Sequence, residues 1–258
     1  MNKEINTLDE YISLVSKNNN FLSMYRGVSN SEYELEPGIA RYRKRGLTEA
    51  DILMREAYML LEFRNKASQF KEIKNITELA ILAQHYGLPT RLLDWTHNPL
   101  VALFFAVKNN DKDGAVYIYE KAEIMTSFNF DYANLISSFS GGLISNGVPV
   151  YIQVSMYQQK VNKEHKEKFV FLQPLSNTER VISQDSIFTL HIDPFVKIPE
   201  EKYKKIIIKQ EKKKYFKESL ANLGVHEFSI FPDLGGLSAY LKNIFLERTD
   251  LLCLENNF

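Results

Sequence analysis

Cysteine is nearly absent from this 258-residue chain: the only one is Cys253, in DLLCLE near the C-terminus. A single thiol excludes an intrachain disulfide framework and a four-cysteine zinc site. Its leucine neighbours mark it as a buried structural thiol rather than a nucleophile. Neither sign of charge is in excess, since Lys+Arg and Asp+Glu each total 32. That balance argues against a surface dominated by phosphate binding but leaves room for a local basic groove. No apolar run approaches the ~20 residues of a membrane span. The opening MNKEINTLDEYISL also lacks the apolar core of a signal peptide. The expectation is a cytoplasmic protein with no membrane partner. A glycine-rich dinucleotide fingerprint, a phosphate loop and a nucleophile-elbow serine are all missing. The five histidines lack paired ligand spacing, so no metal is expected.

What is present suits a globular core. Hydrophobic residues make up 45% and charged residues 25%, so neither a disulfide nor a structural metal is needed. We read residues 1–258 as one domain. Thr7-Leu8-Asp9-Glu10 has the form of a capping box before Leu8, Tyr11, Ile12 and Val15, which predicts a helix over 8–17. FLSMYRGVS reads as a short strand ending at Gly27. Thr48 and Asp51 form a second capping pair, opening a helix through about Phe70. A third helix starts at Thr77 and ends at Gly87, with Pro89 as a stop. Asn98 is an N-cap with Pro99 at the first helical position, and LVALFFAVK behind it is apolar nearly all round, hence buried.

After residue 113 the pattern changes. GAVYIYE, VPVYIQVS, KFVFLQP, DSIFTLHID and YKKIIIK are rich in β-branched and aromatic residues between turn residues and read as strands. Helices over about 211–222 and 236–248 close the chain. A helical N-terminal part and a strand-rich C-terminal half make an α+β pattern. KQEKKKYFKE reads as a solvated helix face, because acids interrupt its lysines.

The richest stretch is Gln84–Pro99, QHYGLPTRLLDWTHNP. As a connection between two helices it carries far more ionisable and aromatic groups than turning requires. It enters a helix N-terminus, where free N–H groups and the dipole favour an anion. Arg91 can clamp a phosphate or carboxylate at two points. Asp94 can orient Arg91 or accept from a ribose hydroxyl, and Thr96 offers a hydroxyl just before the helix. Each also has a purely structural reading: Asp94 as the salt-bridge partner of Arg91, Thr96 as a cap, Trp95 as core, His85 as a residue satisfied by a helix end, His97 as exposed loop. A second feature, Tyr25-Arg26-Gly27, puts an arginine at a strand end, with Gly27 allowing close approach to the backbone. In the third, Gln184 stands four residues after Arg180, just ahead of a strand.

These segments together resemble the FRG domain family. The resemblance rests on YRG at 25–27, AQHYGLPTRLLDWTHNPLVALFFA at 83–106, on Arg180, Gln184 and Phe188, and on FPDLGGLSAYL at 231–241. It spans about residues 20 to 245. FRG domains occur in bacterial and phage-related proteins, and the resemblance implies a toxin or phage-defence setting. The order of elements is also similar to the ADP-ribosyltransferase fold, a split β-sheet that binds NAD in a cleft. That likeness implies NAD as co-substrate and an RNA, DNA or protein acceptor, with a neutralising or sensing partner protein possible. Arg26 would contact the diphosphate, and Tyr25 or Tyr86 would stack on nicotinamide. Gly27, Arg91 and Thr96 complete the expected nucleotide site, and Gln184, Asp94 and His85 the catalytic set. Gln184 stands where many members of that fold carry a glutamate. A carboxylate stabilises the charge that develops on the ribose. That negative charge would therefore come from Asp94, Glu179 or Glu227, or the chemistry is altered, or the protein only binds a nucleotide. An NAD glycohydrolase is the remaining alternative. Arg41, Arg43, Lys44 and Arg45 in RYRKRG would line one edge of the cleft.

Overall fold

A computed structural model describes residues 2–17, 23–73, 76–109, 111–120, 144–145, 148–149, 169–172, 179–191 and 193–247. Cys253 and most of VPVYIQVS lie outside them. The elements in chain order are β1 (Asn2–Ile5), α1 (Leu8–Lys17), β2 (Met24–Val28), a 3-10 helix (Gly38–Arg45), α2 (Glu49–Ala67) and α3 (Ile76–His85). Then come β3 (Leu92–Thr96), α4 (Pro99–Val107), β4 (Gly114–Tyr119), a small ribbon of β5 (Ile144–Ser145) and β6 (Val148–Pro149), and β7 (Phe169–Leu172). The chain continues through α5 (Glu179–Ser183), β8 (Ser186–His191), β9 (Tyr203–Ile208), α6 (Lys213–Asn222), α7 (Glu227–Ile230) and α8 (Leu234–Lys242). None of the described helices is long and apolar enough to cross a membrane.

Local signals set the helix ends. Thr48 and Asp51 cap α2 reciprocally. At α1 the reciprocity is shifted by one residue: Glu10 N–H donates to Thr7 Oγ1 at 3.3 Å, but the Glu10 carboxylate accepts from Asn6 N–H at 2.8 Å. Gly87 leaves α3 at φ +89°, letting Leu88 N–H reach the Ala83 carbonyl at 2.9 Å. Asn98 Oδ1 accepts from Leu100 N–H at 2.9 Å, with Pro99 opening α4.

Seven strands form one mixed sheet in the order β1-β9-β4-β2-β3-β8-β7, an α+β architecture. Only β1 and β9 run parallel; the remaining pairs are antiparallel. The expected division into a helical first part and a strand-rich second part does not hold. Four of the seven strands precede residue 120, and β2, β3 and β4 hold the middle of the sheet. β1 escapes the sequence pattern because NKEI has one apolar residue, Ile5, which is fully buried. LLDWT, part of a connection by its local signals but the strand before a helix by the ADP-ribosyltransferase likeness, is the strand β3. Period-two placement puts Leu93 and Trp95 in one core cluster, while Asp94 between them is exposed.

Two apolar layers flank the sheet. On one side α1, α4 and α6 pack on Tyr25, Val116, Ile118, Ile206 and Ile208. On the other, Trp95, Tyr119, Phe169 and Phe171 pack edge to face with Leu35 and Ile198 over them. Trp95 is core, and its Nε1–H donates to Thr189 Oγ1 at 3.2 Å. The fully buried Lys213 donates to the carbonyls of Ser29 at 2.7 Å and Asn109 at 2.5 Å, fastening α6 to the chain after β2 and after α4.

Helix α4 sits directly on β2. A methyl group at Gly27 would stand 1.8 Å from the Ala102 carbonyl oxygen, so the glycine serves the approach of a helix and not of a ligand. Gly27→Ala is expected to lose about 3 kcal/mol of stability or to misfold, read from the urea midpoint.

A second expectation concerns acid. His191 is fully buried, its ring nitrogens 3.3 Å from Thr189 Oγ1 and from the Val196 carbonyl. Burial holds its pKa down at about 4. An unfolded chain takes up that proton near pH 6.5, so the contribution of the neutral ring is complete above about 6.5 and is lost as pH falls toward 4. The denaturation midpoint should drop across this window, and His191→Gln should drop less.

Candidate functional site

The sheet opens between β2 and β3. These neighbours share a single paired position, Tyr25 with Thr96, while β2 pairs with β4 along its whole length. Arg26 bridges the opening. Its Nη1–H donates to Asp94 Oδ2 at 2.6 Å and to the Asp94 backbone carbonyl at 2.5 Å. The Arg26 side chain is 11% exposed and the Asp94 side chain 59%. Both bonds run through Nη1, and the buried Nε has no hydrogen-bond partner among the described residues. Desolvation alone would raise the Asp94 pKa, but the Arg26 guanidinium, with Arg41 further off, holds it below the usual aspartate range.

Asp94 is oriented from its other side as well. Thr90 O–H donates to Gln84 Oε1 at 2.6 Å, and Gln84 Nε2–H donates to Asp94 Oδ1 at 3.0 Å. Thr90 in turn accepts from Leu92 N–H at 3.2 Å. This chain fixes which end of the Gln84 amide faces the carboxylate. Beside the pair lies a cavity of about 470 Å³, whose lining includes Arg26, Arg41, Tyr42, Arg45, Gln84 and Asp94 together with residues 87–90. That volume falls within the range of small-molecule sites. Three guanidiniums against one carboxylate make it suited to an anion.

Several expected site residues go elsewhere. Arg91 is fully engaged by Glu56 of α2, which is 2% exposed. The Glu56 carboxylate accepts from Arg91 Nη2 at 2.6 Å, from Nε at 3.0 Å and from the backbone N–H at 2.9 Å. Arg91 therefore pins α2 to the start of β3, and it does not pair with Asp94. Tyr25 is 5% exposed beneath α4, so it cannot stack on a ligand. Gly27 faces the same helix. Thr96 is buried, donating to the Gln184 carbonyl at 2.6 Å and accepting from Asn98 N–H at 2.9 Å. Gln184 sits with it at the far end of β3, where its amide donates to the Ile230 carbonyl at 3.2 Å. It does not line the cavity. His85 and Tyr86 meet edge to face at 4.9 Å beyond Gln84, with Tyr86 71% exposed. Burial lowers the His85 pKa, with the charges of Arg180 and Lys71 adding to it against Asp233. Among the described residues no group of three or more His, Cys, Asp or Glu is placed to hold a metal ion.

The structure thus pairs Asp94 with Arg26 where the sequence paired it with Arg91, and it places Arg41 and Arg45, but not Gln184, beside that pair. Gln84, Tyr42 and Glu56 were not singled out in the sequence. Gln84 carried a signal in its spacing to Thr90 across the Gly87 turn. Glu56 carried none, because it falls mid-helix among other charged residues.

The arrangement is that of an α+β protein with an anion-suited cavity where its central sheet divides. Residues 22–115 match the family model of the FRG domain. No curated protein and no solved structure matches the chain. Every residue lining the cavity falls inside the matched segment, whereas Arg180, Gln184, Phe188 and 231–241 fall outside it.

Removing one partner of a buried ion pair leaves an uncompensated charge. Glu56→Ala is expected to cost about 3–5 kcal/mol, measured by urea unfolding, and Arg91→Ala a similar amount. A loss of ligand affinity at unchanged stability would return Arg91 to the site.

Proposed function

We propose that the cavity at the β2–β3 split binds NAD and that the protein transfers the ADP-ribosyl group to a macromolecular acceptor. The observation carrying this reading is the Arg26–Asp94 pair at the opening, flanked by Arg41, Arg45 and Tyr42. Arg26 and Arg41 suit the diphosphate: Arg26 has Nη2 without a bond to any described residue, and guanidiniums bind phosphate oxygens in two-point fashion. Tyr42 offers a ring for the base or the nicotinamide. Asp94 presents an oriented carboxylate to the ribose.

In the proposed reaction the bond between ribose C1′ and the nicotinamide nitrogen breaks, and its electron pair leaves on neutral nicotinamide. Positive charge develops on the sugar, and the Asp94 carboxylate stabilises it. A nucleophilic oxygen or nitrogen of the acceptor bonds to C1′ and gives up its proton to solvent or to Asp94. Gln184 acts only at a distance, holding the Ser183–Ser186 turn against the end of β3. The proposed ligand makes a structural demand, since Arg26 must share itself between Asp94 and the diphosphate.

Calorimetry with NAD, together with incubation of adenylate-labelled NAD with RNA, DNA and protein fractions, tests the reading. Arg26→Ala should weaken NAD binding by about tenfold or more. Asp94→Asn should leave the melting temperature within a few degrees and reduce nicotinamide release by about 10²-fold or more. Full transfer by Asp94→Asn would remove the carboxylate from its role.

One observation favours a second reading, a nucleotide-sensing module. Asp94 is already neutralised by Arg26, and a neutral pair is a poorer stabiliser of a cation. Tight NAD binding with neither nicotinamide release nor label transfer would establish it.

A further inference from the structure

We infer that the outer face of the 3-10 helix is a docking surface for single-stranded nucleic acid, which makes nucleic acid the acceptor class. The acceptor role rests on the transferase reading above; the docking surface does not.

The helix Gly38–Arg45 has three residues per turn, so side chains three apart line up in rows. Arg41 and Lys44 share one row, and Tyr42 and Arg45 another. Arg43, in the third with the buried Ala40, turns inward to Glu36 and lies over the Phe195 ring at 5.1 Å. Arg41, Lys44 and Arg45 are exposed and Tyr42 is half-buried, while Ile39, in the row of Tyr42 and Arg45, is buried; Arg41, Tyr42 and Arg45 line the cavity. Ile39 N–H, bonded to the Thr90 carbonyl at 3.2 Å, holds the helix against the turn that orients Asp94.

Two features mark the ligand class. The first is charge without carboxylate partners. Nearby acids are taken: Glu34 by Lys197, Glu36 and Glu49 by Arg43, Glu32 by Lys112. Arg41, Lys44 and Arg45 form no ion pair with any described carboxylate. The second is aromatic interleaving. The Arg41 guanidinium lies 5.8 Å from the Tyr33 ring centroid and Arg45 lies 5.0 Å from that of Tyr42. Tyr33 is itself half exposed. Guanidiniums stacked on tyrosines offer both a phosphate track and flat platforms for unpaired bases. A protein acceptor would not call for unpaired cations alternating with rings, and a duplex buries the base faces these platforms would meet.

The test uses the full chain, without NAD, and a fluorescent single strand of about 12 nucleotides. Wild type should bind with an affinity that falls steeply with salt. The double variant Lys44→Ala/Arg45→Ala should bind about tenfold more weakly. Its salt slope should be smaller by about 1.4, as two lost phosphate contacts require. Both side chains are exposed, and an unchanged melting temperature checks the fold. No binding at about 50 mM salt, or equal binding by the variant, overturns the proposal. So does equal or tighter binding of a matching duplex. Oligonucleotide binding without NAD binding supports the surface and refutes the earlier reading. NAD-derived label on the protein fraction alone refutes nucleic acid as the acceptor and leaves the transferase intact.

Discussion

The seating of α4 on the backbone of β2 constrains everything around the cavity. The contact exists because residue 27 has no side chain, and it fixes the hand of the strand at that point. Tyr25 and Gly27 must face the helix, so Arg26 must point to the opposite side, toward the opening with β3. The same contact sets the height of α4, whose N-cap Asn98 follows two residues after the end of β3. With both ends of the 96–98 turn held, Asp94 falls within reach of Arg26. The ion pair is thus a product of close packing several ångströms away, and the shape of the opening is inherited from an apolar interface.

Arginines in this molecule separate by the neighbours the fold supplies. Arg26 stands in the middle of β2 and Arg91 just before β3, and each is by its chemistry capable of holding a phosphate. Arg91 meets a buried carboxylate, which takes donors from its guanidinium and its backbone and leaves a structural rivet. Arg26 meets an exposed carboxylate through one nitrogen and keeps capacity. Arg41 and Arg45 lie against tyrosine rings and form no ion pair among the described residues. The order Arg91, Arg26, Arg41 is one of decreasing commitment to the protein, and the cavity lies where that commitment is least.

Elements whose signals are local were legible in the sequence. The caps at Thr48, Asn98 and Gly87 and the strands around GAVYIYE and YKKIIIK depend on neighbours a few residues away. The sequence pattern failed where long-range contacts decide. β1 is a strand only because β9 accepts it, and a polar tetrapeptide with one apolar residue cannot announce that. LLDWT is bracketed by Gly87, Pro89 and Pro99, which locally mark a connection, yet it is a strand with every residue but Asp94 buried. In the site, Asp94 and Arg26 were both singled out for what they are chemically, but their mutual contact joins positions 68 apart and needed the sheet. Gln184 was assigned by order of elements alone, and order does not fix which end of a strand a side chain attends.

The order of strands in the sheet has a further consequence for the FRG segment itself. Residues 22–115 contain β2, β3 and only the first two residues of β4, yet β3 is paired on its outer side by β8 and β4 by β9. Both partners come from more than sixty residues later in the chain. During synthesis the segment that holds the whole cavity therefore emerges with unpaired edges on both flanks, the condition that invites a second strand from any neighbouring chain. Excision of the segment as a minimal unit would make that condition permanent. The cavity is encoded in one compact stretch, but its protection from aggregation is encoded in another.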